Sequence, residues 1–356
     1  MSKQKPIVAM DISTSGKGGG PYTSTMNLVN SSLKEKYDYR IFEYNTSLGR
    51  FISIKRIKDL VRQLREINPD IVHFTGLQLS GFHIAVACRL AGLKRTVIVI
   101  RGSSTEALTI SFLQRIIIYM LEVATLAMVK TFYGVSKYSS ELRLTKPFRK
   151  RSSGWVYNLP IMTQKSDSPF SKSDLGFSEN DVVVVSVARI TTDKGYHILC
   201  QAIKNLVDKP TIKFLIVGSG AYLSTMENEL AGQSEQVKFL GYRNDVSRIL
   251  PACDIFVLPT LHETLSNSLL EASEYCLPLV ASDVGGVPEI ITSGENGFLV
   301  PPSDPDAIRD AIVRISENET LRKEMGSRAK EILGEKFSEK SISEKVNSIY
   351  KNLLGE

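Results

Sequence analysis

The sequence predicts an α/β protein made of two doubly wound parallel-sheet domains. Three observations predict it. Twelve short apolar runs, rich in Val and Ile and bounded by Gly, Pro or Asp, recur along the 356 residues, the signature of strands buried on both faces. Stretches with helical periodicity separate them, which makes successive βαβ units. A polar segment without apolar period, residues 163–174 (TQKSDSPFSKSD), divides the runs into two sets of six. A length of 356 residues also suits two domains better than one.

Taken in order, the first set comprises residues 7–12, 39–44, 71–74, 96–100, 132–135 and 155–157. The second comprises residues 182–188, 214–217, 237–240, 255–258, 279–281 and 298–300. This places one domain at 1–162, a linker at 163–174 and a second domain at 175–336, with a terminal helix over 337–356. Two helices of the first domain stand out. In residues 54–67, Ile54, Ile57, Val61, Leu64 and Ile67 repeat at three and four residues, while Lys55, Arg56, Lys58, Arg62 and Arg65 mostly occupy the other faces. Residues 110–129 are almost wholly apolar. Arg115 and Glu122 interrupt them, each costing about 2.5–3.5 kcal/mol at a bilayer centre, so a helix packed in the domain or lying at an interface is expected rather than a spanning one.

Composition excludes several classes. Apolar residues make up 42% and charged residues 23%, which argues against a disordered chain. Cys88, Cys200, Cys253 and Cys276 are widely spaced with no Cys-x-x-Cys, so neither a disulfide scaffold nor a structural zinc site is expected, and a cytoplasmic location is. The N-terminal apolar stretch meets Asp11 within a few residues and reads as a first strand, not a signal peptide. The net charge of +6 is unevenly distributed. Residues 1–175 hold 26 Lys and Arg against 12 Asp and Glu, a balance of +14, and the remainder carries −8. A basic half favours phosphate, anionic lipid or nucleic acid, and a solvated basic surface is the plainer alternative. The cluster Lys146, Arg149, Lys150 and Arg151, with Phe148 among them, belongs to that half and suits anionic lipid. No nucleic-acid recognition module occurs in the sequence.

The chemistry-bearing residues concentrate in the second half. Arg189 follows the strand 182–188, and Lys194-Gly195 comes five residues later. Two cations at the carboxyl end of a parallel strand sit where open α/β sheets bind ligands and suit a diphosphate, and an ordinary surface pair is the alternative at this spacing. Gly218 and Gly220 follow the next strand, but Leu223 stands where a dinucleotide fingerprint needs its third glycine. A tight strand-to-helix turn near a nucleotide edge remains. The string HETLSNSLLEA places Glu263 in the loop after the strand 255–258 and Glu271 about one turn into a helix that begins near residues 266–268. Such a helix start seats a phosphate; Glu263 can then grip sugar hydroxyls and Glu271 a ribose. The alternatives are a solvated acid at Glu263 and a capping box between Ser268 and Glu271. In the first half, Gly18, Gly19 and Gly20 end a GKGGG loop that lets backbone N–H groups approach a phosphate or serves as a flexible turn. Asp304-Pro305-Asp306 has the form of a metal motif but reads as an N-cap with Pro at the first helical position. His73, His83, His197 and His262 are dispersed, and no metal site is expected.

These strings together resemble glycosyltransferase family 4, the retaining nucleotide-sugar transferases. VARITTDKG resembles the family's phosphate-binding segment, and VKFLGYRNDVSRILPACDIFVLPT its base-binding region. HETLSNSLLEA resembles its Glu–seven residues–Glu signature. SDVGGVPEII, GFLVPPSDP, GKGGGPYTSTMNLV, FYGVSKYSSE and the NLP at Asn158 resemble the family too. The resemblance implies a GT-B fold: two doubly wound Rossmann-like domains facing across a cleft, with residues 337–354 crossing back to the first domain. It implies Arg189, Lys194 and Glu263 as the catalytic set. It implies donor binding by Gly18, Gly19, Gly20, Gly218, Tyr242, Arg243, Leu265, Ser266, Asn267 and Glu271, with the base near residues 241–243. Many members carry a His-Gly or His-Asp pair after the fourth strand; here Arg101-Gly102-Ser103 stands there, and Arg101 and His73 fall on the acceptor side.

The expected activity is transfer of one sugar from a nucleotide diphosphate sugar to an acceptor hydroxyl, with configuration retained and no metal or other cofactor. The expected setting is bacterial surface polysaccharide or lipid-linked glycan assembly. The expected partners are the donor, a lipid-linked or saccharide acceptor, and an anionic membrane at the inner face of the plasma membrane. An epimerase of the same build and an inactive sugar-nucleotide binder are the rival readings.

Overall fold

The computed structural model describes residues 4–14, 20–48, 52–77, 79–106, 111–159 and 168–356. Gly18 and Gly19 lie outside the described residues, as do residue 110 and residues 163–167 of the expected linker. The chain divides into two compact units, Met1–Ile161 with Phe337–Glu356, and Met162–Lys336.

The first unit carries β1 Ile7–Ser13, α1 Gly20–Asn30, β2 Asp38–Tyr44, α2 Ile54–Ile67, β3 Ile71–Thr75, α3 Leu79–Leu90, β4 Thr96–Ile100, α4 Phe112–Met128, β5 Thr131–Gly134, α5 Lys137–Ser140 and β6 Ser152–Trp155. Its strands form one parallel sheet in the order β2-β1-β3-β4-β5-β6. That is the flavodoxin-type order, which reverses between β1 and β3. The middle strand β4 is buried along its whole length, which is why its sequence, TVIVI, is apolar throughout rather than alternating. The last strand starts three residues before the expected run. Thr131 Oγ1 donates to the Arg151 carbonyl at 2.7 Å, which pulls the chain alongside β5 already at Ser152.

Two helices of this unit differ from their sequence reading. Arg56, expected among the solvated residues of α2, is buried. Its Nε donates to the Asn45 carbonyl at 2.8 Å and its guanidinium lies over the Tyr44 ring, so hydrogen bonding and cation–π stacking offset its desolvation. In α4 the burial is inverted: Glu122, Thr125 and Leu126 are buried while Phe112 and Leu113 are exposed. Arg115 and Glu122, seven residues apart on one face, accordingly differ, the first exposed and the second buried. No helix among the described residues is long and apolar enough to cross a membrane.

The second unit carries β7 Val182–Val187, α6 Tyr196–Lys204, β8 Ile212–Val217, α7 Leu223–Glu229, β9 Val237–Gly241, α8 Val246–Ile249, β10 Ile255–Leu258, α9 Asn267–Glu274, β11 Leu279–Ser282, β12 Gly297–Val300, α10 Pro305–Ser316 and α11 Glu319–Lys336. Its sheet runs β12-β11-β10-β7-β8-β9, all parallel. This is the dinucleotide-fold order, whose switch point lies between β7 and β10. Val184, Phe214, Ile216, Ile255 and Val257 pack with Leu199 and Ile203 of α6 and Ile308 and Ile312 of α10 in its core. Asp304 caps α10, accepting from the Ala307 N–H at 2.9 Å with Pro305 at the first helical position. The final helix, α12 Glu339–Leu354, belongs to the first unit. Glu339 accepts from the Ser32 N–H, and Tyr350 is fully buried.

Candidate functional site

The second unit brings its charged residues together at the switch point. The loop after β7 carries Arg189, Asp193 and Lys194; the loop after β10 carries Glu263. Because β7 and β10 are neighbours whose crossovers depart in opposite directions, their carboxyl ends leave a crevice between the two loops. The loops are tied by main-chain hydrogen bonds, the Leu261 N–H donating to the Asp193 carbonyl at 2.9 Å. Gly195 makes this approach possible. Its φ is +73°, and a Cβ there would stand 1.7 Å from the Pro259 carbonyl oxygen, so only glycine fits.

Within the crevice Lys194 Nζ donates to Glu263 Oε2 at 2.8 Å, and both side chains are only 15% exposed. Glu263 also accepts from the Thr264 N–H at 3.2 Å, and its carbonyl accepts from the Gly286 N–H of the loop after β11. Three loops therefore hold Glu263, two of them through its carboxylate and the third through its main chain. Arg189 behaves differently. Its side chain is 75% exposed and lies 4.0 Å from Asp193, a separation at which an exposed ion pair contributes little. The sequence places the two cations together, and the structure gives one a fixed seat and leaves the other extended.

The start of α9 is set by Ser266, whose Oγ accepts from the Leu269 N–H at 3.3 Å. Ser268 is thus inside the helix, and Glu271 falls outside any capping box. That reading of Glu271 is removed: its half-buried carboxylate has no hydrogen-bond or ion-pair partner among the described residues, and burial pushes it up to about 7. Leu265 is buried, so its side chain packs and its main chain alone is available to a ligand. Asn267 is half-buried at the first position of α9.

Around the end of β9, Tyr242 is 69% exposed and open to stacking. Arg243 donates from Nε and Nη2 to the two carboxylate oxygens of Asp245 at 2.7 and 2.6 Å. This bidentate pair occupies the guanidinium fork, so Arg243 stiffens the turn. The sequence reading passed over Asp245; opposite charges two residues apart in a loop were the available signal. Gly218 is needed for close approach, since a Cβ would stand 1.9 Å from the Ala188 carbonyl oxygen. Gly20 opens α1 and is exposed.

On the first unit, Arg101 leaves the carboxyl end of β4 and donates to Asn158 Oδ1 at 3.0 Å. It lines a cavity of about 20 Å³ together with His73, Thr75 and Tyr133, room for about one water. Asp11, at the end of β1, accepts from the Thr75 N–H at 2.8 Å; burial raises its carboxyl to about 6, against the pull of that hydrogen bond and of Arg101. His73 bridges two tyrosines at the wall of this cavity. It is fully buried, Tyr350 Oη lies 2.6 Å from Nδ1 and Tyr133 Oη lies 3.0 Å from Nε2. Burial and the nearby Arg101 charge pull it down to about 3. With both nitrogens engaged, it links α12 to the sheet beside Arg101.

The family model described as "Glycosyl transferases group 1" matches residues 167–332. The chain is 23% identical over 347 residues to the capsular polysaccharide biosynthesis glycosyltransferase CapM of Staphylococcus aureus, covering 93% of this chain and 90% of that one. It is 26% identical over 330 residues to the UDP-Gal:alpha-D-GlcNAc-diphosphoundecaprenol alpha-1,3-galactosyltransferase of Escherichia coli, covering 89% and 82%. It spans half the length of the N-acetyl-alpha-D-glucosaminyl L-malate synthase of Bacillus anthracis, at 28% identity over 53% of this chain and 50% of that protein. Among solved structures, Anabaena Alr3699/HepE in complex with UDP-glucose superposes with a TM-score of 0.80 at 19% identity, covering 99% of this chain and 100% of that one, which shows the fold. Residues 167–332 thus match the group 1 glycosyl transferase model, and the chain as a whole has the GT-B fold.

Proposed function

We propose that the protein transfers a sugar from a nucleoside diphosphate sugar to an acceptor hydroxyl with the anomeric configuration retained and without a metal ion. The observation that carries this reading is the fixed Lys194–Glu263 pair at the switch-point crevice. The C1–O bond to the diphosphate breaks as the acceptor oxygen bonds to C1 on the same face, and the acceptor proton passes to the departing diphosphate oxygen. Lys194, Arg189 and the N–H groups at the start of α9 stabilise the charge that develops there, the task a divalent ion performs elsewhere. Glu263 orients the sugar, Glu271 accepts from the ribose, and Tyr242 stacks on the base. The relatives' names support a donor carrying UDP and a lipid-linked acceptor in surface polysaccharide assembly, and the +14 balance of residues 1–175 supports delivery of that acceptor at an anionic inner membrane face.

A panel of nucleotide sugars, read by thermal shift and by nucleotide release with and without acceptor, tests the reading. Release that needs an acceptor, survives EDTA and yields the donor's anomeric configuration supports it. Conversion of the donor's own sugar without acceptor would establish the epimerase instead. Binding without turnover under any acceptor would establish an inactive binder.

A further inference from the structure

The first half of α4 stands apart from the rest of the first unit. Residues 111–117 are exposed without interruption. Phe112 is 81% exposed, Leu113 67%, Ile117 52% and Met120 62%. The second half is held down: Glu122 accepts from Ser103 Oγ and from the Ser104 N–H, and α4 packs against α3. A polar anchor thus docks one end of the helix and projects the apolar end, the reverse of what water alone favours. Apolar patches of this kind mark an interaction surface. The projecting end is also finished for a low-dielectric setting, because Ser111 and Gln114 form a reciprocal capping box that occupies N–H groups otherwise open there.

The surroundings select the occupant. Right-handed crossovers after β2, β3 and β4 put α2, α3 and α4 on one face of the sheet, with their first turns at its carboxyl edge. There the exposed Ile52 and Ile54 adjoin the exposed Lys55 and Lys58 of α2. Arg115 is exposed within the apolar turns of α4, and none of residues 111–121 is acidic. At the other end of α4, Arg151 bonds the Ala127 carbonyl and brings the exposed Lys146, Arg149 and Lys150 alongside. Apolar side chains on a face that also carries Arg115, Lys55 and Lys58 and no acid within residues 111–121 fit a bilayer of negative charge. A second copy of this chain would set the same cations against each other.

We propose that residues 112–120 of α4 insert into an anionic lipid surface, with Arg115, Lys55 and Lys58 on its headgroups. The proposal rests on the reading that the acceptor is lipid-linked, and deepens it: insertion brings the sheet edge from which Arg101 issues to the level of the headgroups. Sedimentation with vesicles of phosphatidylcholine, alone or mixed with phosphatidylglycerol, tests it. The wild-type chain is expected to bind the anionic vesicles at least tenfold more strongly than the neutral ones, with affinity falling as salt rises. The variant F112S/I116S/I117S alters only exposed positions; it should lose at least tenfold in vesicle binding with its melting temperature unchanged. A Trp at position 112 (F112W) should shift its emission to the blue on vesicle binding and be quenched by brominated lipid. Absence of wild-type binding, equal binding by the triple variant, or a concentration-dependent dimer abolished by that variant without vesicle binding would overturn the proposal. Donor turnover without vesicle binding sinks this inference alone, and vesicle binding without donor recognition sinks only the functional reading.

Discussion

Lys194 and Glu263, 69 residues apart in the chain, meet at 2.8 Å with both side chains largely shielded from water. Each holds the other in the position that its proposed partner on the donor would use. Lys194→Ala is expected to lower kcat roughly 10²–10³-fold, with circular dichroism unchanged. Glu263→Gln keeps the shape and removes the charge, so KM for the donor should rise along with a fall in kcat. A double variant no worse than the poorer single one would show that the pair acts as a unit; fully multiplicative losses would refute that coupling.

Arg189 tests the other half of the clamp. Its exposed side chain supports little of the fold, so Arg189→Ala should leave the melting temperature within about 1 °C while turnover drops by at least tenfold. A rate equal to wild type removes Arg189 from the catalytic set.

Glu271 makes nucleotide binding depend on pH. Its carboxyl is raised to about 7 by burial, and only the ionised form accepts from two ribose hydroxyls. Affinity for a nucleoside diphosphate should therefore strengthen as pH rises from 6 to 8. In Glu271→Gln, calorimetry should find affinity weaker and flat across that range. The sign for stability is opposite. An acid raised above its unfolded value costs stability at high pH, so the ligand-free variant should melt above wild type at pH 8.

Gly195 lets the loops after β7 and β10 pack directly against each other. Gly195→Ala forces a Cβ against the Pro259 carbonyl at positive φ. The loops should separate, and both donor affinity and melting temperature should fall together. Wild-type values in both would mean that the loops rearrange freely.

His73 and Asp11 pull acid stability in opposite directions. His73, neutral down to about pH 3 in the folded chain, takes up a proton near 6.5 once unfolded. Its stabilisation is complete above 6.5 and is lost as pH falls toward 3. Asp11, raised to about 6, costs stability above that pH and relieves the cost below it. Melting curves between pH 7 and 4 should flatten in His73→Gln and steepen in Asp11→Asn.

The sequence by itself determined which segments are strands, because buried parallel strands write their burial directly as short Val- and Ile-rich runs. β4 and β10 were bounded to the residue, as was the cap at Asp304, where Asp-Pro before a helical run acts locally. It also marked Lys194 and Glu263 as residues of interest, but not that they touch. Only the tertiary structure decided the two strand orders, one reversing between β1 and β3 and the other between β7 and β10, since crossover direction leaves no mark on apolar periodicity. It alone decided that Ser266 rather than Ser268 begins α9, that His73 is a core bridge to α12, and that α4 turns its apolar residues outward. For His73 and Glu122 the deciding partner lies in another element: Tyr350 for His73, and Ser103 for Glu122. Periodicity reports what a segment can bury, and long-range packing decides what it does bury.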